Sequence, residues 1–399
     1  MIENEMNSRG IQRHIPTLVS LWRGNGRKER LDKKEISALS SSLLKLQRGL
    51  TGERKMAGGR YMSEKDTFGS YLLYYFPVSY LQIQTVLDFL GNTIEEISKK
   101  DEIGILEIGS GPAPGTTALC DRILSLNKNA KISVSLCDTS ERAMQTARKI
   151  LESDFENVSV ETKKADIEKS GLRTFRKKPE KFDIVLMSHV LNELWKKDDD
   201  KIQKRLSFIK AQTEKLSENG ILILNEPAMQ ESSRNLIKIR DEMLGSEAFR
   251  GMNLVAPCPF SGSKKCPALL SENQTCHAEK LWKPFEPVLS LAKGAGLDRE
   301  SVKMSFFVFQ KTEKQAESEN GKTLTVVSDG MLNKSGRIRF MLCDGGKRFS
   351  LSAKKDDQHA KEIGFFGLRR YDKIRIENPE IREGNFGVAG NTEIFKEDF

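Results

Sequence analysis

Residues 255–283 contain cysteines whose thiolates could bind a metal. This stretch reads VAPCPFSGSKKCPALLSENQTCHAEKLWK and holds three of the six cysteines, Cys258, Cys266 and Cys276. It has few regularly spaced apolar residues, and a loop of this length is unusual in a compact fold unless something other than a core orders it. Three thiolates converging on a metal would supply that order. The spacing matches neither the CxxC pairs of zinc ribbons nor the bacterial ferredoxin run, so it indicates a metal without identifying which one.

A fourth ligand is needed to complete such a site. His277 directly follows a cysteine, and adjacent residues rarely both reach one ion. Cys120 and Cys137 are expected in the first helix and the second strand, where free cysteine packs as a small hydrophobe. Cys343 is the best candidate, because the segment MLCDGG places it at a strand end before a glycine turn.

Other uses of these thiols are also open. The three cysteines of the loop are unrelated surface thiols in one alternative. In another, Cys258 is a covalent nucleophile on pyrimidine C5, because Pro-Cys dipeptides serve there in some RNA methyltransferases. Disulfides are not expected, since nothing in the sequence marks the chain as secreted.

A second chemical centre lies at residues 103–119, IGILEIGSGPAPGTTAL. A short apolar strand ends in Glu107, Gly109 and Gly111, and a helix-forming run begins after Gly115. A buried strand that breaks at glycines and continues as a helix is the entrance to a doubly wound α/β domain. The glycines let the backbone pass close to a ligand. Nucleoside triphosphates are disfavoured, because the loop is not the phosphate-binding GxxxxGK[ST].

Two aspartates at later strand ends indicate which ligand the loop holds. Asp138 ends a predicted strand about 30 residues after Glu107, where a carboxylate accepts two ribose hydroxyls. Asp166 follows the third predicted strand, 158–162, and is expected at the edge of an adenine ring. The order of glycine loop, Asp138 and Asp166 looks like an S-adenosylmethionine-dependent methyltransferase, with the glycine loop at the methionine end. A dinucleotide remains the alternative ligand.

Candidate catalytic residues follow the fourth predicted strand, 182–187, in the segment SHVLNELW. The segment lacks the Asn/Asp-Pro-Pro-aromatic turn that hydrogen-bonds a flipped amino group, so methylation of a base amino group by that route is disfavoured. His189 and Asn192 are the catalytic candidates, with His189 as an acid or base at the edge of the sheet. In the structural alternative, Asn192 and Glu193 satisfy the start of the next helix.

Strands that alternate with helices must position these two centres. Such an alternation predicts a parallel sheet that binds its ligand at the carboxyl edge. The sequence therefore predicts an α/β fold: a Rossmann-like class I methyltransferase domain with an N-terminal helical segment, a cysteine-rich insert and a small C-terminal OB-like β-barrel. We expect a basic arm and helical region at 1–100, and the methyltransferase-like domain at 101–312 with its metal loop at 255–283. The barrel is expected at 321–399, after a charged linker at 311–322.

Composition limits the classes of function. The chain has 399 residues and a net charge of +9, and residues 1–60 hold 13 Lys/Arg against 6 Asp/Glu. Such an arm suits ribosomal RNA, although a solvated tail is equally consistent with it.

The predicted barrel carries Arg337, Arg339, Arg369 and Arg370 but has an excess of only three positive charges. We expect no membrane span and no secretory signal, because the apolar runs are strand-sized and acids come early.

Taken together, the motifs resemble the small-ribosomal-subunit methyltransferase-like proteins of mitochondria and bacteria, typified by methyltransferase-like protein seventeen. The matching segments extend from about Arg60 onward: RYMSEKDTFGSYLLYYFPVSY, LEIGSGPAPGTTAL, VLMSHVLNEL, LNEPAM, APCP…CP…CH and MLCDGG. Two departures stand out. Ala113 and Pro114 lengthen the glycine loop, and Phe260 stands where the family often has histidine.

The resemblance implies a [4Fe–4S] cluster on Cys258, Cys266, Cys276 and Cys343, with zinc as the alternative metal. It also implies action on the small ribosomal subunit and its rRNA during assembly or translation. We further expect a monomer in the cytoplasm or, in a eukaryote, the mitochondrial matrix. Members of the family differ in whether they catalyse a reaction. Two hypotheses follow: an rRNA methyltransferase that uses S-adenosylmethionine, and a non-catalytic assembly factor or RNA-binding protein with a structural metal.

Overall fold

The computed structural model describes residues 9–24, 30–51, 64–171, 175, 180–258, 265–297, 300–313 and 323–397. Several features predicted from the sequence lie partly or wholly outside these ranges. They are parts of the basic arm, the start of the segment RYMSEK, Phe260 in the cysteine loop and most of the linker at 311–322.

The α-helices of the described residues are numbered in chain order: α1 Arg9–Gln12, α2 Ile15–Arg23, α3 Lys33–Thr51, α4 Lys65–Ser70, α5 Phe76–Asp88, α6 Gly91–Ser98, α7 Pro114–Leu126, α8 Glu141–Asp154, α9 Ile167–Ser170, α10 Lys201–Thr213, α11 Gln230–Gly245, α12 Val288–Gly294 and α13 Gln358–Glu362.

The strands are numbered in the same way: β1 Glu102–Ile108, β2 Lys131–Asp138, β3 Val158–Lys164, β4 Phe182–Ser188, β5 Leu216–Glu226, β6 Met252–Ala256, β7 Ala278–Leu281, β8 Ser301–Lys311, β9 Thr323–Val326, β10 Met331–Leu332, β11 Arg337–Cys343, β12 Arg348–Lys354, β13 Lys373–Glu377, β14 Glu380–Arg382, β15 Asn385–Gly387 and β16 Glu393–Glu397.

The chain divides into two compact units. The first comprises Met1–Asn225 and Lys280–Val302, and the second comprises Glu226–Glu279 and Lys303–Phe399. The domain boundaries predicted from the sequence, at 100/101 and around 312–321, stay a prediction.

A parallel sheet in the order β3-β2-β1-β4-β5 forms the centre of the first unit. Apolar side chains fill β1 and β4, which are buried along almost their whole length, as expected for parallel strands covered on both faces. Successive strands are added on one side of β1 up to β3, and the chain then crosses to the other side of β1 to form β4. The direction of winding therefore reverses between β1 and β4. The carboxyl ends of β1 and β4 therefore flank the crevice where doubly wound sheets bind ligands. The Rossmann-like α/β prediction is confirmed.

Helices precede this sheet, as the sequence predicted. Among them are α3 and, in the apolar stretch 71–90, a π-helical segment, Tyr71–Tyr75, followed by α5. The chain stays helical from α4 through this segment into α5, and the π-helical turn directly precedes Pro77, which has no N–H to donate to the preceding turn. π-helical turns are frequent at functional sites.

The second unit contains α11, the antiparallel pair β6 and β8, and a further sheet in the order β14-β15-β12-β11-β9-β13-β16. Most pairings in this sheet are antiparallel, and β10 joins β11. Its core is built from buried side chains of β9, β11, β12 and β13, among them Val326, Phe340, Leu342, Leu351 and Ile374. The short alternating strands expected from the sequence are present, and their closure into an OB-like barrel stays a prediction. Among the described helices, none is both long and apolar enough to span a bilayer.

Candidate functional site

Glu107 lies at the carboxyl end of β1 and is only 2% exposed. Its Oε2 accepts hydrogen bonds from the Thr116 amide at 3.0 Å and the Thr116 hydroxyl at 2.6 Å. Burial raises the pKa of the Glu107 carboxyl to about 7, against the lowering effect of those two hydrogen bonds. Gly115 permits this arrangement, since a Cβ there would lie 2.8 Å from Glu107 Oε1. The start of α7 thus closes tightly on the carboxylate.

The glycine loop between β1 and α7 bends through left-handed backbone conformations. Gly109 and Gly111 have φ values of 68° and 51°. A Cβ on Gly109 would lie 2.6 Å from Val190 Cγ2, whereas one on Gly111 would meet only the Tyr71 hydroxyl, at 3.8 Å. Gly109 is therefore needed for packing, and the space in front of Gly111 is open to a ligand. The longer loop is accommodated at Ala113, which takes φ 62° just before α7.

Asp138 ties the end of β2 to this loop. Its Oδ2 accepts the Gly111 amide at 2.8 Å, and its Oδ1 accepts the Ser140 amide at 2.7 Å. Burial raises the pKa of the Asp138 carboxyl, although hydrogen bonds from Ser140, Gly111 and Thr139 act in the opposite direction. The structure thus gives Asp138 a role in shaping the loop, and its predicted contact with a ribose stays a prediction.

Tyr71 and Glu193 complete what we call the acidic recess, defined by Glu107, Asp138, Glu193 and Tyr71. Burial raises the pKa of the Tyr71 hydroxyl, and the charges of Asp138, Glu193 and Glu107 raise it further, so all three carboxylates lie near this side chain. Glu193 reaches solvent, yet the surrounding protein raises the pKa of its carboxyl to about 7, with the charge of Asp138 adding to the effect. Three carboxylates facing one recess favour a cationic ligand.

Sequence reasoning did not find Tyr71 as a site residue. Its only signal was the aromatic segment YLLYYF, which is equally typical of a core helix. The π-helical turn at Tyr71–Tyr75 became apparent only in the folded structure.

His189 follows β4 with a φ of 58°, a strained conformation for a non-glycine residue. Its amide donates to the Asn225 carbonyl at 2.8 Å, and its Nε2 lies 2.6 Å from Gln82 Oε1. Burial lowers the pKa of the imidazole to about 4, so the ring is neutral near pH 7. The His189 ring lies at the edge of the crevice, but its lowered pKa makes it a weak base.

Asn192 lies in the turn after β4 and is half-buried. The alternative that Asn192 and Glu193 satisfy the start of the next helix is wrong, because α10 begins only at Lys201, with Asp200 before it.

Asp166 stands at the start of α9 and forms an ion pair with Lys169 at 2.9 Å. The hydrogen bond from the Lys169 side chain lowers the pKa of the Asp166 carboxyl. The preceding residue is tied to the recess, since the Ala165 amide donates to the Asp138 carbonyl at 3.0 Å. The main chain at Asp166 therefore passes beside the recess, while its side chain is engaged by a lysine.

The four candidate metal ligands all belong to the second unit. Cys258 follows β6, Cys266 precedes a 3₁₀ turn at Pro267–Leu270, Cys276 precedes β7, and Cys343 ends β11. All four are free thiols.

These four cysteines lie within electrostatic range of one another. Burial raises the pKa of Cys258, and the charges of Cys276, Cys266 and Cys343 each add to the shift. Burial likewise raises the pKa of Cys266 to about 12 and that of Cys343 to about 11. Within the described ranges, however, no three His, Cys, Asp or Glu side chains form a group arranged to hold a metal ion.

Helix α11 anchors the cysteine loop directly. The Asp241 carboxylate accepts the Cys266 amide at 2.9 Å, and the Ser233 hydroxyl donates to the Cys276 carbonyl at 2.9 Å. Arg234 Nη1 binds three loop carbonyls, those of Ala268, Ser271 and Gln274. Polar side chains of one helix therefore help to order this loop, a part that the sequence analysis gave to a metal.

Hydrogen-bond donors and positive charges surround the sulfurs. The Gly345 amide donates to Cys343 Sγ at 3.3 Å, and the Tyr371 hydroxyl lies 3.1 Å from Cys276 Sγ. The charge of Arg240, which is 3% exposed, acts on Cys258 and Cys266. Donors of this kind stabilise thiolates at metal centres.

Arg348 adds a buried donor on the Cys343 side. Its two terminal nitrogens bind Gln274 Oε1 at 2.9 Å and the Thr275 carbonyl at 3.0 Å. Its Nε is buried and has no hydrogen-bond acceptor among the described residues. Its charge lowers the pKa of Cys343. A buried unpaired N–H beside a cysteine fits an additional acceptor, such as the sulfur of a bound metal centre.

The remaining predictions about thiols and histidine are confirmed in part. Cys120 lies in α7 and Cys137 in β2, and both are fully buried, as expected for packing residues. His277 Nδ1 lies 3.3 Å from the Thr275 hydroxyl, and burial lowers the pKa of its ring to about 4.

The first unit therefore belongs to the class of doubly wound α/β domains, with the acidic side chains of Glu107 and Asp138 at the switch point of the sheet. Residues 66–360 match the sequence model of the family described as mitochondrial small ribosomal subunit Rsm22, and the chain belongs to this family. The resemblance stated from the motifs is thereby confirmed. No curated protein sequence matches the chain.

Solved structures of methyltransferases are also similar to the chain, at low identity. A putative class I S-adenosylmethionine-dependent methyltransferase from Listeria monocytogenes has 11% identity over 72% of this chain and 91% of its own, with a TM-score of 0.35. A putative RNA methyltransferase from Pyrococcus horikoshii has 13% identity over 72% and 100%, with a TM-score of 0.33. The plantazolicin methyltransferase BpumL in complex with SAH has 13% identity over 70% and 98%, with a TM-score of 0.30.

Proposed function

We propose that this protein is a methyltransferase-like factor of the small ribosomal subunit that binds S-adenosylmethionine in the acidic recess and contacts rRNA. The observation that carries the proposal is the recess itself, at the switch point of the sheet, in a chain that belongs to the Rsm22 family. Its chemistry supports a cofactor with positive charge, because three carboxylates face one side chain there.

S-adenosylmethionine supplies a methyl group on a positively charged sulfur and carries a cationic amino group. Glu107 and Glu193 would balance this charge, and Gly111 leaves open space for the close approach of the methionine end. Asp138 would accept the ribose hydroxyls, because it lies at the carboxyl end of β2, next to the glycine loop that its Oδ2 already binds. Asp166 would lie at the adenine edge. These residues bind and orient, and the carboxylates favour the charged sulfur over a neutral one.

His189 and Asn192 would lie on the side of the methyl acceptor. The neutral imidazole of His189 suits acceptance of a hydrogen bond better than abstraction of a proton, because its pKa is about 4. This weak base is the specific observation that favours the second candidate function, a non-catalytic assembly factor in which cofactor binding survives without turnover.

We further propose that Cys258, Cys266, Cys276 and Cys343 hold a [4Fe–4S] cluster, with zinc as the alternative. The mutual electrostatic influence of the thiols and the donors on their sulfurs support a thiolate-bound centre. The choice of iron rests on the family resemblance. The cluster would act as a structural staple that joins the end of β11 to the loop anchored on α11.

Contact with rRNA during subunit assembly or translation completes the proposal, with the protein acting as a monomer in the cytoplasm or mitochondrial matrix. The basic arm and the predicted OB-like barrel are the candidate RNA surfaces. Arg370 contributes less free charge than the sequence indicated, since it pairs with Asp329 at 3.1 Å.

The proposal is tested by crosslinking the tagged full-length protein to RNA in cells and sequencing the bound RNA. Wild type is expected to enrich small-subunit rRNA, and a variant with all four candidate cysteines changed to Ser is expected to lose that enrichment. Failure of the wild type to enrich small-subunit rRNA would contradict the proposed partner. Transfer of a tritiated methyl group to the enriched RNA would distinguish the enzyme from the assembly factor.

A further inference from the structure

Gln82 is a buried glutamine on α5 that reaches the end of the parallel sheet. It is 5% exposed. Its Oε1 lies 2.6 Å from His189 Nε2 and 3.5 Å from Asn225 Nδ2. Sequence reasoning did not find it, since Gln82 precedes His189 by 107 positions and lies inside an apolar helix.

The hydrogen-bond chemistry assigns the proton on His189. Because the carboxamide oxygen of Gln82 only accepts, His189 Nε2 must carry the hydrogen of this bond. The neighbouring amide group agrees with this assignment. Asn225 Nδ2 donates to the Ser188 hydroxyl at 3.0 Å and approaches the same Gln82 oxygen, so a nitrogen at that Gln82 position would face a second donor. In this orientation Gln82 Oε1 faces two donors, His189 Nε2 and Asn225 Nδ2.

The remaining ring nitrogen, Nδ1, is left with its lone pair. Among the described residues, none forms a hydrogen bond with His189 Nδ1. The main chain is also fixed, because the His189 amide donates to the Asn225 carbonyl and the residue adopts φ 58°. The next residue, Val190, packs against Gly109 of the glycine loop. The main chain of His189 and the Nε2 atom of its ring are thus both held in place at the edge of the ligand crevice.

We propose that Gln82 is a positioning residue that holds His189 as the Nε2–H tautomer and presents Nδ1 to the crevice as a hydrogen-bond acceptor. The group that it receives is an N–H or O–H of the methyl acceptor. The identity of that ligand rests on the proposed function, whereas the tautomer and the orientation do not. The helical region before the sheet then contributes a residue to the acceptor side of the site.

The experiment is nitrogen-15 NMR of the full chain labelled at its four histidines, with the His189 signals assigned by their loss in His189→Gln. In wild type, we expect the Nε2–H pattern for His189 across neutral pH. Gln82→Met, which keeps the volume but loses the acceptor, is expected to produce a mixture of tautomers. Gln82→Glu is expected to raise the pKa of His189, since a carboxylate stabilises the imidazolium. Gln84→Met, on the same helix, is the matched control and should change neither property.

An Nδ1–H pattern in wild type, or an unchanged tautomer in Gln82→Met, would overturn the assignment. S-adenosylhomocysteine is then added as the probe of the crevice, with calorimetry run in parallel. We expect the His189 Nδ1 signal to shift, while the signals of His277 and His359 stay in place. If calorimetry shows binding but His189 does not respond, Nδ1 does not face the crevice that the cofactor occupies, and its proposed presentation to the crevice is wrong. If calorimetry shows no binding, the cofactor proposal fails, and the tautomer data still decide the role of Gln82.

Discussion

His14 Nδ1 lies 2.6 Å from Asp154 Oδ2 although 140 positions separate the two residues in the chain. The other ring nitrogen, Nε2, lies 2.9 Å from Asp121 Oδ2, and the histidine is completely buried. Arg13 also pairs with Asp121, and the Tyr80 hydroxyl donates to the same carboxylate. A histidine between two carboxylates thus ties the turn between α1 and α2 to α7 and α8.

Stability should depend on pH through this histidine. Burial lowers the pKa of His14, but the hydrogen bonds to Asp121 and Asp154 outweigh it and raise the pKa above 6.5. A raised pKa means that His14 stabilises the fold fully below pH 6.5 and loses that contribution as pH rises through its folded value. The bond from His14 likewise lowers the pKa of Asp121, against the effect of burial. That carboxylate stabilises the fold above pH 3.8 and ceases to do so in stronger acid.

His14→Gln is expected to reduce the free energy of unfolding by about 3–5 kcal/mol near pH 6, because it removes the cation from buried Asp154 and leaves Asp121 with Arg13 alone. Urea unfolding at pH 6 and at pH 9 measures the effect. The difference between wild type and variant should shrink at the higher pH. Thr17→Val is the control, since it removes a hydrogen bond to Asp154 Oδ1 without removing a titrating group. A difference that does not change with pH would show that His14 is neutral in the folded protein.

Binding of a cationic ligand in the acidic recess should release protons near neutral pH. Glu107 and Glu193 both have a pKa of about 7, so each carboxyl is partly protonated there. A cation favours the ionised form, and its affinity should therefore rise with pH from 6 to 8, by up to about tenfold per pH unit for each linked proton. Calorimetry in buffers of different ionisation enthalpy counts the protons. Glu193→Gln should release fewer protons than wild type, and an affinity independent of pH would contradict the account of the recess.

The cysteine site predicts a contrast between two thiols. Cys343→Ser removes a candidate ligand and is expected to abolish the brown colour and bound iron of anaerobically purified protein. Cys120→Ser, at a buried packing position, should keep both and lose only local stability. Metal analysis and visible absorbance measure the outcome. If the protein binds one zinc ion per chain instead, the metal site is correct but the iron–sulfur cluster is not. If metal-free protein is equally folded, neither metal is needed and both proposals fail.

If the proposed cluster is present, Tyr371 should tune its reduction potential without being needed to bind it. Its hydroxyl lies 3.1 Å from Cys276 Sγ, and it adopts φ 69°, a strained conformation for a bulky residue. Hydrogen bonds to ligand sulfurs raise reduction potentials, so Tyr371→Phe is expected to keep full iron content with a lower potential. Redox titration monitored by electron paramagnetic resonance measures the shift. A loss of iron in this variant would instead make Tyr371 necessary for assembly of the site.

The sheet and its glycine loop were predictable because their signals are local. Buried parallel strands are continuous apolar runs, and the break at Gly109 and Gly111 marks the first strand end. The strand ends at Asp138 and His189 follow from the same pattern. These features depend on neighbours in the chain and on the rule that parallel strands present their carboxyl ends at one edge.

Long-range contacts were not predictable in this way. Nothing in the sequence indicated that Tyr71 would face three carboxylates, that Gln82 would meet His189, or that α11 would anchor the cysteine loop. A polar residue on an apolar helix has many equivalent partners until the helix is packed. Asp138 shows the same limit, since its type and position indicated a ligand contact, while its bonds to backbone amides emerged only in the fold.

The central claim is that the acidic recess binds S-adenosylmethionine, and calorimetry with the purified full-length protein tests it most directly. Wild type is expected to bind one molecule per chain. Asp138→Asn should weaken binding by about 1.5–3 kcal/mol, roughly tenfold to a hundredfold, because an amide cannot accept from the Gly111 and Ser140 amides and from the ribose as a carboxylate does. Asp32→Asn is the matched control, since Asp32 also accepts two backbone amides but lies at the start of α3. No binding by wild type, or equal binding by Asp138→Asn, would contradict the account.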